Sequence, residues 1–161
     1  VRTAAALPGQ PADLWPAERR KLLLALEEKG LWGVLVNIFL AEGEVGEALT
    51  ALGELEQRPT YAAAGYYGYW NLGDYRLRVA RAAEEDFPER AIAIYQQIAQ
   101  HHIDQRNRNN YQQAAEYLDR ARTLYERQGR YEAWRDFITD LRNRHRTLRA
   151  LREELNAREL E

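Results

Sequence analysis

Apolar residues recur along this chain at intervals of three and four, and nowhere alternate for long with polar ones. That spacing lines one face of an α-helix. From Pro16, a residue tolerated in a first helical turn, Leu22, Leu23 and Leu26 form a stripe that Gly30 ends. Trp32, Leu35 and Phe39 line the next helix, Gly43 breaks it, and Ala48, Leu52 and Leu55 line its successor as far as Pro59. Tyr75, Val79, Ala82 and Ala83 predict a helix over Asp74 to Glu85, and the Phe87-Pro88 turn leads into another over Pro88 to Asp104. The stripe Tyr111, Ala114, Ala115, Leu118, Ala121, Leu124 and Tyr125 predicts a helix stopped by Gly129, after which Trp134, Phe137, Ile138 and Leu141 repeat the period. Leu148, Leu151 and Leu155 carry the pattern on through Arg142 to Leu160, a long terminal helix expected to cap the array. The expected fold class is all-α.

The Trp32 to Pro59 hairpin resembles one unit of a tetratricopeptide repeat, with Ala48 as the small residue that lets two helices approach. Such a pair cannot cover its own apolar side and has to stack on neighbours. The resemblance implies a solenoid of about three helical hairpins that offers a concave surface to a peptide, with Asn37, Tyr69, Arg76 and Asn110 or their neighbours upon it. Residues 1–15, punctuated by Pro8, Gly9 and Pro11, read as a linker, and 16–161 as a single helical-repeat domain.

Composition narrows the chemistry. With 23 basic and 25 acidic residues and a formal charge of -2, no global field recruits nucleic acid or an anionic membrane. The chain has no cysteine, which excludes disulfides, thiolate nucleophiles and cysteine-based metal sites. It also has no methionine and starts at Val1, so a fragment of a longer protein is expected. No segment supplies about 20 uninterrupted apolar residues, as a spanning helix requires; the expectation is a cytoplasmic module without membrane contact, monomeric or weakly dimeric.

From Phe87 to Leu160 the chain resembles the C-terminal region of bacterial SWIM zinc finger proteins, in a stretch that includes Pro88, Tyr95, Arg106, Arg108, Tyr111 and Trp134. In that family the finger is a Cys-x-Cys pair followed by Cys-x-His near the other end of the protein. No metal ligand carries over to a chain without cysteine. The resemblance implies a helical interaction module from a multidomain protein.

Three polar or aromatic groupings are candidates for binding. Between Tyr61 and Tyr75 six large aromatics alternate with glycines, and Tyr66, Tyr69 and Trp70 suit a recognition groove, although core packing explains such residues as well. In Ile103 to Tyr111, Arg106 and Arg108 among asparagines form a donor-rich turn that suits a carboxylate or phosphate. A plainer account has an asparagine cap the following helix while the arginines pair with Asp104 or Asp119. The basic run from Arg142 carries Arg144, Arg149 and Arg152, the alternative nucleic-acid contacts, against which stand intrahelical pairs such as Arg149 with Glu153. Adjacent helical residues point about 100° apart, so His101 and His102 make a poor chelate and no metal is expected. His145 reads as solvent-facing and Glu84, Glu85 and Asp86 as solvated. No catalytic residue or cofactor is expected: Gly-x-Ser-x-Gly, His-Glu-x-x-His and a phosphate-cradling glycine loop are absent. The sequence points to a non-enzymatic module for a protein or peptide partner.

Overall fold

A computed structural model describes residues 14–57 and 72–160. Among the described residues there are eight helices: α1 (Leu14–Glu28), α2 (Trp32–Glu42), α3 (Val45–Glu56), α4 (Leu72–Ala83), α5 (Pro88–Asp104), α6 (Arg108–Arg127), α7 (Tyr131–Arg144) and α8 (Arg149–Ala157). The described residues contain no strand. The chain divides into two compact units, Val1–Tyr69 and Trp70–Glu161.

In the first unit, α1 packs on α2 and α2 on α3. The corners are set by Gly30 and Gly43, whose φ values of +66° and +75° are left-handed. At each, two amides close the end of the helix. Gly43 N–H donates to Leu40 O and Glu44 N–H to Phe39 O, and Gly30 and Leu31 do the same toward Glu27 and Leu26. This paired closure satisfies carbonyls that a helix end leaves open. Leu35, Val36 and Phe39 of α2 and Ala48, Leu49, Ala51 and Leu52 of α3 are buried, as the periodicity requires. Arg19 of α1 holds this corner by donating to Glu42 and Glu44.

The second unit is built around α5 and α6. Pro88 sits in the first turn of α5, where its missing N–H costs nothing, and seven apolar side chains of that helix are buried, Tyr95 completely. α6 packs on α5, α7 and α8. It starts at Arg108, earlier than the apolar stripe alone indicates, because Asn107 Oδ1 accepts the Asn110 amide at 3.0 Å. In α4 the buried small residues are Ala80 and Ala83, while Ala82 faces solvent.

The terminal segment differs from expectation. Arg142 to Leu160 is not one long helix: α7 ends at Arg144, a turn through His145 to Leu148 reverses direction, and α8 is nine residues long. A straight continuation would have kept Leu148 and Leu155 in one stripe without a neighbour. Folding back instead puts Leu151, Leu155 and Leu160 in the core, at 1 %, 0 % and 0 % exposure. Burying each leucine side chain contributes about 1.5–3 kcal/mol, so the three together outweigh the few helical hydrogen bonds lost at the turn, at roughly 0.5–1.5 kcal/mol each. The end of α8 is closed by Glu159 in a left-handed conformation, φ +54°, with its amide on Asn156 O and the Leu160 amide on Leu155 O. The side chains of Arg142 and Arg122 add donors to Leu160 O and Glu159 O.

Counted from Gly43 and Gly129, α2–α3 and α6–α7 share one register. Four residues before each glycine is a buried aromatic, Phe39 or Tyr125, and nine after is a buried aliphatic, Leu52 or Ile138. Two positions exchange size. Eight before stands Leu35 in one hairpin and Ala121 in the other; five after stands Ala48 or Trp134. Trp134 leans against Tyr125 with ring centroids 6.0 Å apart.

Candidate functional site

Of the residues singled out from sequence, Arg108 and Arg149 both reach Glu153, which brings the start of α6 and the terminal basic run together. Tyr66, Tyr69 and Trp70 lie outside the described residues. Arg106 is exposed in the α5–α6 turn, where its φ of +52° is left-handed. Arg108 is neither free nor paired with Asp104 or Asp119: its Nε lies 3.2 Å from Glu154 and its Nη2 3.5 Å from Glu153, so it joins the start of α6 to α8. Asp119 is held by Arg122 at 2.6 Å and Arg158 at 3.8 Å, and Asp104 accepts from Gln100. Of the basic run, Arg144 pairs with Asp140, Arg149 with Glu153 as the i,i+4 spacing predicts, and Arg152 donates to the Arg146 carbonyl. Each of these three guanidinium groups has an intrachain partner.

Two titratable groups depart from expectation. Glu84 is not a solvated member of an acidic cluster. It accepts from the Tyr95 hydroxyl, with Arg120 Nη1 at 3.5 Å, and thus links the end of α4 to α5 and α6. Burial, then the Glu84 carboxylate, pushes the Tyr95 phenol well above its ordinary range. His145 is half-buried, not fully solvent-facing. Its Nε2 is buried without a hydrogen-bond partner among the described residues, and burial followed by the Arg144 charge lowers its pKa. Asp104 acts in the opposite direction and Arg106 reinforces the lowering.

A cleft of about 520 Å3 opens in the second unit, among α4, α5 and α6. Leu72 and Leu77 of α4 and Ile98 of α5 give it apolar walls; Asp74, Arg76 and Gln113 give it polar ones. His101 and His102, in the last turn of α5, and Tyr117 of α6 complete the lining. His102 Nδ1 donates to Asn110 Oδ1 at 3.1 Å, and the same Asn110 is anchored through its amide by Asn107. The cap of α6 therefore also orients an imidazole in the cleft. Arg76 and Asn110, two of the residues expected on a concave surface, thus meet at or beside one cavity. The histidine pair forms part of the cleft wall, and among the described residues no group of three or more His, Asp or Glu side chains is placed to hold a metal ion. No helix among the described residues is long and apolar enough to cross a membrane.

The chain is similar to the uncharacterized protein YwqB of Bacillus subtilis (strain 168). The two are 41% identical over 68 residues, which is 42% of this chain and 13% of the relative. The chain thus matches a small part of a much longer protein. No family model matches the sequence, and no solved structure matches it.

Proposed function

We propose that this chain is a non-enzymatic, tetratricopeptide-like helical-repeat module that binds another protein, and that it serves within a multidomain cytoplasmic protein of the SWIM zinc finger kind. The observation that carries the reading is the cleft among α4, α5 and α6, whose volume of about 520 Å3 and mixed apolar and polar lining give room for a bulky side chain of a partner, small-ligand clefts running to roughly 300–1,000 Å3. Stacked hairpins place such clefts on a rigid scaffold, with backbone hydrogen bonds satisfied inside each helix and side chains left to read a partner. The two helical stops that share a register, at Gly43 and Gly129, support the repeat reading. Engagement of Arg108, Arg144, Arg149 and Arg152 with the chain's own oxygens argues against phosphate contact as the main work of this surface.

Site-specific photo-crosslinking in the intact parent protein tests this. A crosslinker at Gln113, exposed in the cleft wall, is expected to give a discrete protein adduct, and one at exposed Glu132 of α7 none. Nucleic-acid adducts, or sub-micromolar binding of a short duplex at physiological salt that Arg144→Ala with Arg149→Ala weakens, would overturn the proposal in favour of an arginine-based interface.

A further inference from the structure

Three aromatic rings form a column that rises from the core to the cleft. Tyr95, fully buried, stacks on Tyr117 with centroids 6.2 Å apart and planes at 14°; Tyr117 stacks on His102 at 5.6 Å and 19°. Both ends are fixed by hydrogen bonds, the Tyr95 hydroxyl to Glu84 and His102 Nδ1 to Asn110. The middle and outer rings, Tyr117 and His102, are half-buried and line the cleft beside Ile98. Little rotamer freedom is left to lose when a further ring arrives, which is the condition that favours binding to a preorganised surface.

We infer that the cleft seats an aromatic side chain of a partner polypeptide, which extends the Tyr95, Tyr117 and His102 column by one ring. The inference rests on the protein-binding reading above and names the chemistry of the partner. Offset stacking favours a ring over an aliphatic chain at this place, while the exposed Gln113 carboxamide supplies an acceptor for an indole N–H or a phenol O–H. Charge decides between a side chain and a nucleobase. The cleft lining carries one carboxylate, Asp74, and one guanidinium, Arg76, and so offers no surplus positive charge to the phosphate that accompanies a base. Leu72 and Leu77 extend an apolar wall suited to the rest of an aromatic residue.

The chain has only three histidines, so their ring signals in NMR are few and assignable. Acetyl-Ser-Trp-Ser-amide, acetyl-Ser-Leu-Ser-amide and AMP are titrated into the whole chain. The expected result is a saturable upfield shift of the His102 ring with the tryptophan peptide, the His145 ring staying in place as a folding control. Affinity for that peptide should exceed that for the leucine peptide by about three- to ten-fold, the size of one stacking contact. His102→Gln, which keeps a donor for Asn110 but has no ring, should lose that margin; His102→Phe, which keeps a ring, should retain most of it. Equal affinity for the two peptides would overturn the ring preference and leave a protein-binding cleft standing. Tighter binding of AMP would overturn both readings. No shift with any probe would overturn the docking of a ring here, while the Gln113 crosslink judges the broader reading separately.

Discussion

The left-handed helix stops yield a prediction with opposite signs at two chemically similar sites. Gly129 and Glu159 close α6 and α8 with the same pair of amide hydrogen bonds, at φ values of +68° and +54°. A Cβ added at Gly129 would meet no atom within 4 Å, so the cost of Gly129→Ala is conformational and not steric. Placing an L-residue in that region costs about 1–2 kcal/mol, partly offset by the roughly 0.4–1 kcal/mol that alanine gains through a less flexible unfolded chain. The net is about 1 kcal/mol of destabilisation, or about 4–8 °C in Tm for a domain of 60–100 residues. At Glu159 the argument reverses, because Glu159→Gly relieves the same strain and costs only the added unfolded-state freedom. The gain appears as slower hydrogen exchange of the Leu160 amide, which bonds Leu155 O at 3.0 Å; a stabilisation of about 1 kcal/mol corresponds to about five-fold more protection. Urea denaturation by circular dichroism and amide exchange by NMR measure the two variants. A neutral or stabilised Gly129→Ala, or a Leu160 amide that exchanges faster in Glu159→Gly, would refute the shared strain.

Two further outcomes follow from burial. Trp134→Ala empties a buried site in α7 and should lower stability by about 3–5 kcal/mol, and Ala48→Trp overfills the matching position of α3 at a cost of about 1–3 kcal/mol or more; urea midpoints of both variants check this, and an unchanged midpoint for either would contradict the shared register. His145 has a pKa below its ordinary 6.5 in the folded chain. The unfolded state therefore binds a proton first as pH falls, and stability present above about pH 6.5 is lost on acidification. His145→Gln should flatten the urea midpoint between pH 7 and pH 5; an equally steep profile in the variant would assign the loss to another group.

Much of the helical order is legible because it is carried by local signals. Pro88 marks the start of α5, Gly43 and Gly129 mark ends, Asn107 caps α6, and the apolar period picks out nearly every buried side chain of α6. The errors share a cause. Left-handed stops at Arg106 and Glu159 have no glycine to announce them, and the turn after α7 exists because α6 offers somewhere to bury Leu151 and Leu155, which is tertiary information. The cleft was only partly readable. Arg76 and Asn110 stood out as polar helix positions, but the alignment of Tyr95, Tyr117 and His102 joins residues from two helices at spacings no single period reveals. Glu84 looked like one of three surface carboxylates because its partners, Tyr95 and Arg120, lie on α5 and α6. Arg108 found its partners on α8 for the same reason.

The exchange of size between the hairpins bears on how helices of one chain recognise their own neighbours. α2–α3 holds Leu35 and Ala48 at the two buried positions where α6–α7 holds Ala121 and Trp134, so each hairpin carries one large and one small side chain there. Crossed pairings are penalised from both directions. α2 with α7 would hold leucine and tryptophan at those positions and overfill the core, and α6 with α3 would hold two alanines and underfill it. Either mismatch costs on the order of 1–3 kcal/mol or more, a large share of the 5–15 kcal/mol that holds a domain together. Similar hairpins joined in one chain invite exchange of partners during folding. Here a pair of volumes, large with small and small with large, acts as an address that sends each helix to its own mate.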